Sequence, residues 1–355
     1  MMQIVSLSDA ITLQRGFDLP TSQRRQGKYP VVASTGTTTT HDKFKVKGPG
    51  VVIGRSGSIG GGQYVESDFW PLNTTLWVKD FKGNDEKFIY YTLKSLDFSS
   101  FNVGAAVPTL NRNHLSALKV RIPDVDKQKK IANILGSLDE KIELNRHMNE
   151  TLEQLGQTLF RHYFVDNPEA KNWDEGTLGD IMNITMGQSP PGKSYNNNGD
   201  GVVFYQGRAD FGLRYPNMRL FTTDPKRFAK VGDVLLTVRA PVGDVNQASE
   251  RCCIGRGLAA ISSRTGAVSF CYYYCHQLKA DFLEYNSEGT VFGSINSKQL
   301  KALKLKIPPI GLVEKFENEA AVIDKTIMLN SYQVKTLVVL RDSLLPKLIS
   351  GGIEV

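Results

Sequence analysis

The feature that most limits the possible folds is an internal repeat. Residues 104–159 align without gaps on residues 289–344 at a constant offset of 185. Identities include Asn111 with Asn296, Leu115 with Leu300, Lys119 with Lys304, Ile122 with Ile307 and Pro123 with Pro308. They continue through Asp139 with Asp324, Ile142 with Ile327, Asn145 with Asn330 and Leu152 with Leu337. A register kept this long implies a duplicated unit, so the chain is two halves of one plan. Upstream the match is looser: Leu7, Asp9 and Gly16 are echoed by Leu178, Asp180 and Gly187, and the run from Gly50 to Arg55, within one residue of slippage, by that from Asp233 to Arg239. A preserved back and a divergent front point to a shared structural or docking task and two different ligand surfaces. Neutral drift of loops is the plainer alternative.

The fronts are rich in Gly, Thr, Val and aromatic residues, with short apolar runs (Val31-Val32-Ala33, Val51-Val52-Ile53, Val234-Leu235-Leu236) separated by turn signals such as Gly60-Gly61-Gly62 and Asn196-Asn197-Asn198-Gly199. This predicts β-rich domains carrying helices over 87–96 and 270–284. After Pro123 and Pro308 the period becomes helical. Ile131, Leu135, Leu138, Ile142, Asn145, Asn149 and Leu152 step by alternating four and three residues, and Phe316, Ala320, Ile323, Ile327, Asn330, Val334 and Leu337 repeat the pattern. The expected architecture is α+β, in pseudo-symmetric tandem. A β-rich domain over 1–125 is followed by a long helix over 126–165, then a second domain over 166–310 and a second helix over 311–355. A single narrow apolar stripe cannot be buried by one helix alone, so the two helices are expected to pack on each other as an intramolecular, antiparallel coiled coil. Asn145 and Asn330 at equivalent seam positions either fix its register or face solvent near a kink.

Composition narrows the partners. Lys and Arg number 43 against 36 Asp and Glu, giving +7 and a pI near 9.0, which favours a polyanionic partner. The start lacks a charged-then-apolar leader, and no apolar run approaches the ~18 residues of a membrane span, so a cytoplasmic, non-membrane protein is expected. Cys252, Cys253, Cys271 and Cys275 read as reduced core thiols, and Cys271-x3-Cys275-His276 has no second ligand pair to complete a zinc site. Catalytic signatures are missing as well. Asn167-Pro168-Glu169 and Asp224-Pro225-Lys226 are not the Asn/Asp-Pro-Pro-aromatic motif that holds a flipped adenine, and there is no phosphate-cradling Gly-x4-Gly-Lys-Ser/Thr loop. The acids of Pro123-Asp124-Val125-Asp126-Lys127 vanish in the repeat, at Pro308-Pro309-Ile310-Gly311-Leu312. His41, His114, His147, His162 and His276 have neither ligand nor triad spacing. No catalytic and no metal-ligating residue is assigned.

Several segments, in this order, match a known pattern: Asp68-Phe69-Trp70-Pro71-Leu72-Asn73-Thr74-Thr75, Val107-Pro108-Thr109-Leu110-Asn111, Gln128-Lys129-Lys130-Ile131-Ala132 and Leu138-Asp139-Glu140-Lys141-Ile142. The second half adds Gly232-Asp233-Val234-Leu235-Leu236, Val238-Arg239-Ala240-Pro241-Val242-Gly243, Ile254-Gly255-Arg256-Gly257-Leu258 and Leu344-Leu345-Pro346-Lys347-Leu348. With them the chain resembles, along essentially its whole length, the specificity subunit of type I restriction-modification systems. The resemblance implies two target-recognition domains, each reading half of a bipartite site in double-stranded DNA. It also implies spacer helices that set the gap and bind two methyltransferase (modification) subunits, with restriction subunits joining the complex. No cofactor belongs to this chain; S-adenosylmethionine, ATP and Mg belong to those partners, which methylate adenine and cleave DNA. A helix of about 35 residues spans roughly 50 Å, against about 34 Å for one duplex turn, so the helices are long enough to act as a ruler. One departure stands out: where the first half has Gln128, the second has Val313, which puts symmetric docking of the second partner in question.

DNA contact needs cations for phosphates and hydrogen-bonding side chains for base edges. The first domain offers Arg24, Arg25 and Lys28 beside a turn, and a polar stretch expected to be a loop through Thr37, Thr38, Thr39, Thr40, His41 and Lys43. The second offers Arg208, Arg214, Arg219, Lys226 and Arg227. Arg55 and Arg239, near strand ends in both halves, are either shared phosphate clamps or buried fold-stabilising arginines. The rival functions are a stand-alone DNA-acting nuclease and a scaffold that binds no DNA.

Overall fold

The computed structural model describes residues 2–98, 109–282, 285 and 293–355. Residues 104–108 and 289–292 of the repeat, with Val107 and Pro108 among them, and Glu284 lie outside the described residues, but the helix expected over 270–284 already ends at Gln277, with turns following through Phe282. The chain divides into two compact units, Met1–Leu144 with Gln333–Val355, and Asn145–Tyr332. Two long helices, Val125–Phe160 and Ile310–Ser350, each contribute one part to each unit.

In the first unit, an antiparallel sheet runs in the order Thr12–Arg15, Thr75–Asp80, Gly50–Gly54, Gly60–Val65. A smaller sheet holds Gly36–His41, Tyr29–Ala33 and Trp70–Pro71. The apolar runs supply the central strands, because Val51, Val52 and Ile53 are buried on both faces. Helix Glu86–Ser95 begins where the Asp85 carboxylate accepts the Phe88 N–H at 2.8 Å. Its apolar face joins Leu7, Val51, Leu110 and Leu115 in one core, which Ile131 and Leu135 of the first long helix and Leu345, Leu348 and Ile349 of the second complete.

The second unit repeats the plan. Its sheet runs Met182–Met186, Leu258–Ser263, Val234–Thr237, Val245–Gln247, and the helix corresponding to Glu86–Ser95 is Val268–Gln277. A five-stranded sheet, ordered Tyr195–Asn196, Phe221–Thr222, Val202–Tyr205, Cys252–Ile254, Phe228–Ala229, replaces the three-stranded one of the first half. The divergence of the fronts is therefore architectural and not confined to loops. All four cysteines are free and buried, and the Cys271 thiol points at the Ile261 carbonyl in the core.

Shared framework lies where the repeat is ungapped. Lys119–Ile122 pairs antiparallel with Gln3–Ser6, and Lys304–Ile307 with Asp174–Thr177. Asn111 and Asn296 cap the short helices Arg112–Ser116 and Ser297–Lys301. Inside each unit the long-helix segments run in opposite directions. In the first unit Asp139 meets Arg341 at 2.7 Å while Ile131 shares a core with Leu348. In the second, Asn149 meets Asn330, and Phe160 packs edge-on to Phe316 with centroids 5.6 Å apart. Of the seam, Ile131, Leu135, Ile142, Asn145, Phe316, Ile327 and Asn330 are buried, while Leu138, Leu152, Ile323 and Leu337 are half-buried. The solvent-facing reading of Asn145 and Asn330 is thereby corrected. Asn330 donates to the Asn149 side-chain oxygen at 3.0 Å, and Asn149 in turn donates to Ser331 Oγ at 3.0 Å, so Asn149, Asn330 and Ser331 form a buried hydrogen-bonded group on the seam.

Gln128 also has an internal role. It is 1% exposed, accepts the Asp85 N–H at 2.8 Å and donates to Asn84 at 2.8 Å, tying the first long helix to helix Glu86–Ser95. Its counterpart Val313 is buried in the apolar core of the second unit. The Gln-to-Val difference thus alters internal packing in each unit.

Candidate nucleic-acid interface

In the first unit, the pairing of Tyr29 with His41 brings the turn carrying Arg25 and Lys28 beside Lys43. Gly27 lies flush against the backbone of His41 and Asp42, where an added Cβ would come within 2.4 Å of Asp42 Cα. Arg25, Lys28 and Lys43 are exposed, and Lys28 Nζ sits 5.2 Å from the Tyr29 ring centre. Arg24 is half-buried, its Nε donating to the Leu19 carbonyl at 3.3 Å. The stretch expected to be a loop is the edge strand Gly36–His41, with Thr37, Thr38, Thr39 and Thr40 all exposed. The register shifts between Val31 and Val32, leaving Thr38 as the extra residue, and its hydroxyl donates to the Val31 carbonyl. His41 is a core residue and not a surface contact: it is 5% exposed, takes the Arg25 N–H on Nδ1 at 3.1 Å and stands edge-on to Trp70.

In the second unit most of the expected cations are already neutralised. Arg208 and Lys279 share the two oxygens of Asp244, at 2.7 and 2.9 Å; Arg219 pairs with the buried Asp210, and Lys226 with Asp224. Arg227 and Arg239 are exposed, and neither has an ion pair among the described residues. Arg214 does not belong in a DNA-contact set. It is 1% exposed, with Nη1 2.9 Å from Glu153, Nη2 2.7 Å from Asp324 off the hydrogen-bond angle, and Nε donating to Gln247. Burial opposes its charge, but Tyr272, Asp324 and Glu153 keep its pKa well above the ordinary value.

The front domains are held to the helices by related but unequal latches. Tyr91 and Tyr273 occupy the same position in their helices and donate to Asp139 and Asp324, the paired aspartates of the repeat, at 2.8 and 2.9 Å. Burial, then the Asp139 bond, push the Tyr91 pKa up. The cation at Asp139 is Arg341, from the other long helix; the cation at Asp324 is Arg214, from the front domain itself. The repeat counterpart of Arg341 is Gly156, where a Cβ would lie 2.0 Å from the Tyr273 hydroxyl, so the arginine had to come from elsewhere.

A family model described as type I restriction modification DNA specificity domain matches residues 1–154 and again 170–315. The chain belongs to this family. A putative type I restriction enzyme MjaX specificity subunit from Methanocaldococcus jannaschii is 34% identical over 264 residues, covering 70% of this chain and 62% of that protein. This chain thus spans about three-fifths of that relative's length. The type I restriction enzyme MjaIX specificity subunit of the same organism is 24% identical over 323 residues, covering 80% and 74%. The fold resembles the crystal structure of a type I restriction-modification S subunit from M. genitalium, with a TM-score of 0.67 and 20% identity over 98% of this chain and 96% of that one.

Sequence reasoning missed some cations that the type I specificity fold exposes. Lys45 and Lys47 flank the core residue Val46 on alternate positions, and Lys45 Nζ lies 5.2 Å from the Trp70 ring centre and 5.7 Å from that of Phe17. Their alternation was the available signal. Arg55 and Arg239 also prove not to be equivalent. Leu110 N donates to the Arg55 carbonyl, and Ile295, the counterpart of Leu110, donates to Val238. Ser56 bridges Thr109, and Arg239 bridges Ser294, the counterpart of Thr109. Arg55 therefore corresponds to Val238 and Arg239 to Ser56, and the reading of a shared clamp is corrected by one residue of register, which in a strand turns a side chain to the opposite face. Among the described residues, no group of three or more His, Cys, Asp or Glu is placed to hold a metal ion, and no helix is long and apolar enough to cross a membrane.

Proposed function

We propose that the chain is a non-catalytic DNA-specificity subunit whose two front domains each read half of a bipartite target in double-stranded DNA. The observation that carries this is the double match to the DNA specificity model, once on each half. In the first half Arg24, Arg25, Lys28 and Lys43 contact phosphates while the Thr37 to Thr40 edge strand approaches a groove. In the second half Arg227 and Arg239 serve, being exposed and without an ion pair among the described residues, while Arg208, Arg219 and Lys226 reach phosphates only by leaving Asp244, Asp210 and Asp224. Methylation and cleavage belong to two modification subunits and to restriction subunits, which bring S-adenosylmethionine, ATP and Mg, and the complex works in the cytoplasm. Docking on the long helices is supported by their exposed apolar residues: Ile134, Leu144, Val339 and Leu340 in the first unit, Met148, Leu155, Val322, Leu329 and Tyr332 in the second. The long helices fix the gap between half-sites, so four residues inserted after Asn145 change that gap or abolish modification.

The test is genome-wide mapping of N6-methyladenine in cells expressing this chain with its neighbouring methyltransferase subunit, against cells lacking only this chain. A bipartite motif of fixed gap that vanishes in the deletion is expected. The same methylation pattern in both cells would overturn the reading.

A further inference from the structure

We propose that Arg15, Arg55 and Arg112 form a backbone-phosphate clamp in the first front domain, with no counterpart in the second. The inference rests on the DNA-reading function proposed above and adds a site to it. The three arginines line a cavity of about 400 Å³ with Leu76, Thr109, Leu110 and Asn111. The fold brings them together from three elements. Arg15 ends the strand Thr12–Arg15 and pairs with Leu76; Arg55 follows the strand Gly50–Gly54 on the other side of Thr75–Asp80, with its N–H bound to the Thr74 carbonyl; Arg112 opens the helix capped by Asn111.

No ion pair joins any of the three to another described residue. Arg15 Nε has only the Asn73 carbonyl, at 3.4 Å, and the Asn73 amide is spent on Asp18. Arg341 of the same unit, by contrast, is matched to Asp139 and Asp342. Three guanidiniums around one cavity repel one another, and a polyanion relieves that repulsion while using their paired donors.

The repeat shows that the fold does not require them. The counterpart of Arg15 is Met186, since Gly16 and Gly187, one residue on, make the same backbone bond to the neighbouring strand, at Thr75 and Leu258. That of Arg55 is Val238, through the matched bonds from Leu110 and Ile295, and that of Arg112 is Ser297, which follows the cap Asn296. The second domain is built with Met, Val and Ser at these positions, so the arginines serve a ligand and not the framework.

The same comparison supplies the test variant, Arg15→Met/Arg55→Val/Arg112→Ser, which installs the residues the second half already carries. The full chain, assembled with its modification subunits, is titrated with duplex bearing the mapped methylation motif at 50 and at 200 mM KCl. If each arginine neutralises one phosphate, the log–log salt slope falls by about 2.7, and the wild-type advantage in affinity shrinks by about 40-fold between the two salts. The methylated motif stays the same, because phosphate contacts carry no base identity. Equal slopes for the two proteins overturn the clamp, whether the affinities match or the variant is uniformly weaker. A wild-type assembly that does not prefer its motif over other DNA overturns the underlying function and the clamp with it, whereas intact wild-type preference with equal slopes removes the clamp alone.

Discussion

Replacing Arg214 by Met tests whether a buried ion cluster holds the second front domain to its helices. The side chain is 1% exposed, and the carboxylates it serves, Glu153 and Asp324, are 9% and 15% exposed, so its removal strands two charges in a poorly hydrated site. Breaking one buried pair costs about 3–5 kcal/mol. The guanidinium also lies 3.4 Å from the Tyr272 ring centre, a cation–π contact worth about 0.5–2 kcal/mol. A total near 5 kcal/mol is expected, which at about 2–4 °C per kcal/mol lowers the melting temperature of the unit Asn145–Tyr332 by roughly 10–20 °C. Scanning calorimetry of the full chain reads this directly. The triple variant Arg214→Met/Glu153→Leu/Asp324→Leu removes all three charges and returns to within about 1 kcal/mol of wild type, because an apolar replacement of a whole buried cluster carries no uncompensated charge. A loss under about 1 kcal/mol in the single variant, or a triple variant no better than the single, refutes the reasoning.

Stability of the second unit depends on acid through His276, whose pKa burial and the nearby Arg214 push down to about 4. The unfolded chain takes up the proton near pH 6.5 and the folded one only near 4, so stability falls as pH drops across that window, by up to about 3 kcal/mol. In His276→Gln this part of the pH dependence, measured by urea unfolding between pH 7 and 4.5, disappears. Asn149→Leu strands the Asn330 amide and costs about 1–3 kcal/mol in the same assay, while Asn149→Leu/Asn330→Leu recovers most of it. Arg25→Glu/Lys28→Glu, at exposed positions, weakens binding of the assembled complex to its motif by more than about 10-fold at low salt and leaves the melting temperature unchanged.

The duplication and both long helices were legible because a periodic signal recurs at a fixed offset, while the helix near residue 90 lies outside that repeat and was legible on its own. The front domains were legible only as β-rich. Thr37 to Thr40 read as a loop because an edge strand with both faces open shows no apolar alternation, and the bulge at Thr38 breaks what period remains. Arg214 and His41 read as surface groups because their partners are distant in sequence: Glu153 and Asp324 for one, the Arg25 amide and Trp70 for the other. No local pattern announces a satisfied buried charge. The one-residue slip between Arg55 and Arg239 was visible in the unequal lengths of the two runs, and backbone pairing assigns its place.

The core of the first unit joins Leu7, Val51 and Phe88 to Leu345, Leu348 and Ile349. During synthesis the earliest domain therefore waits, with one side of its core open, until the closing stretch of the second long helix leaves the ribosome. The unit Asn145–Tyr332 is continuous in sequence and needs nothing made after it. A premature stop near residue 335 would thus spare the later-made domain and unseat the earlier one, so the front domain coded first is the one a late frameshift removes.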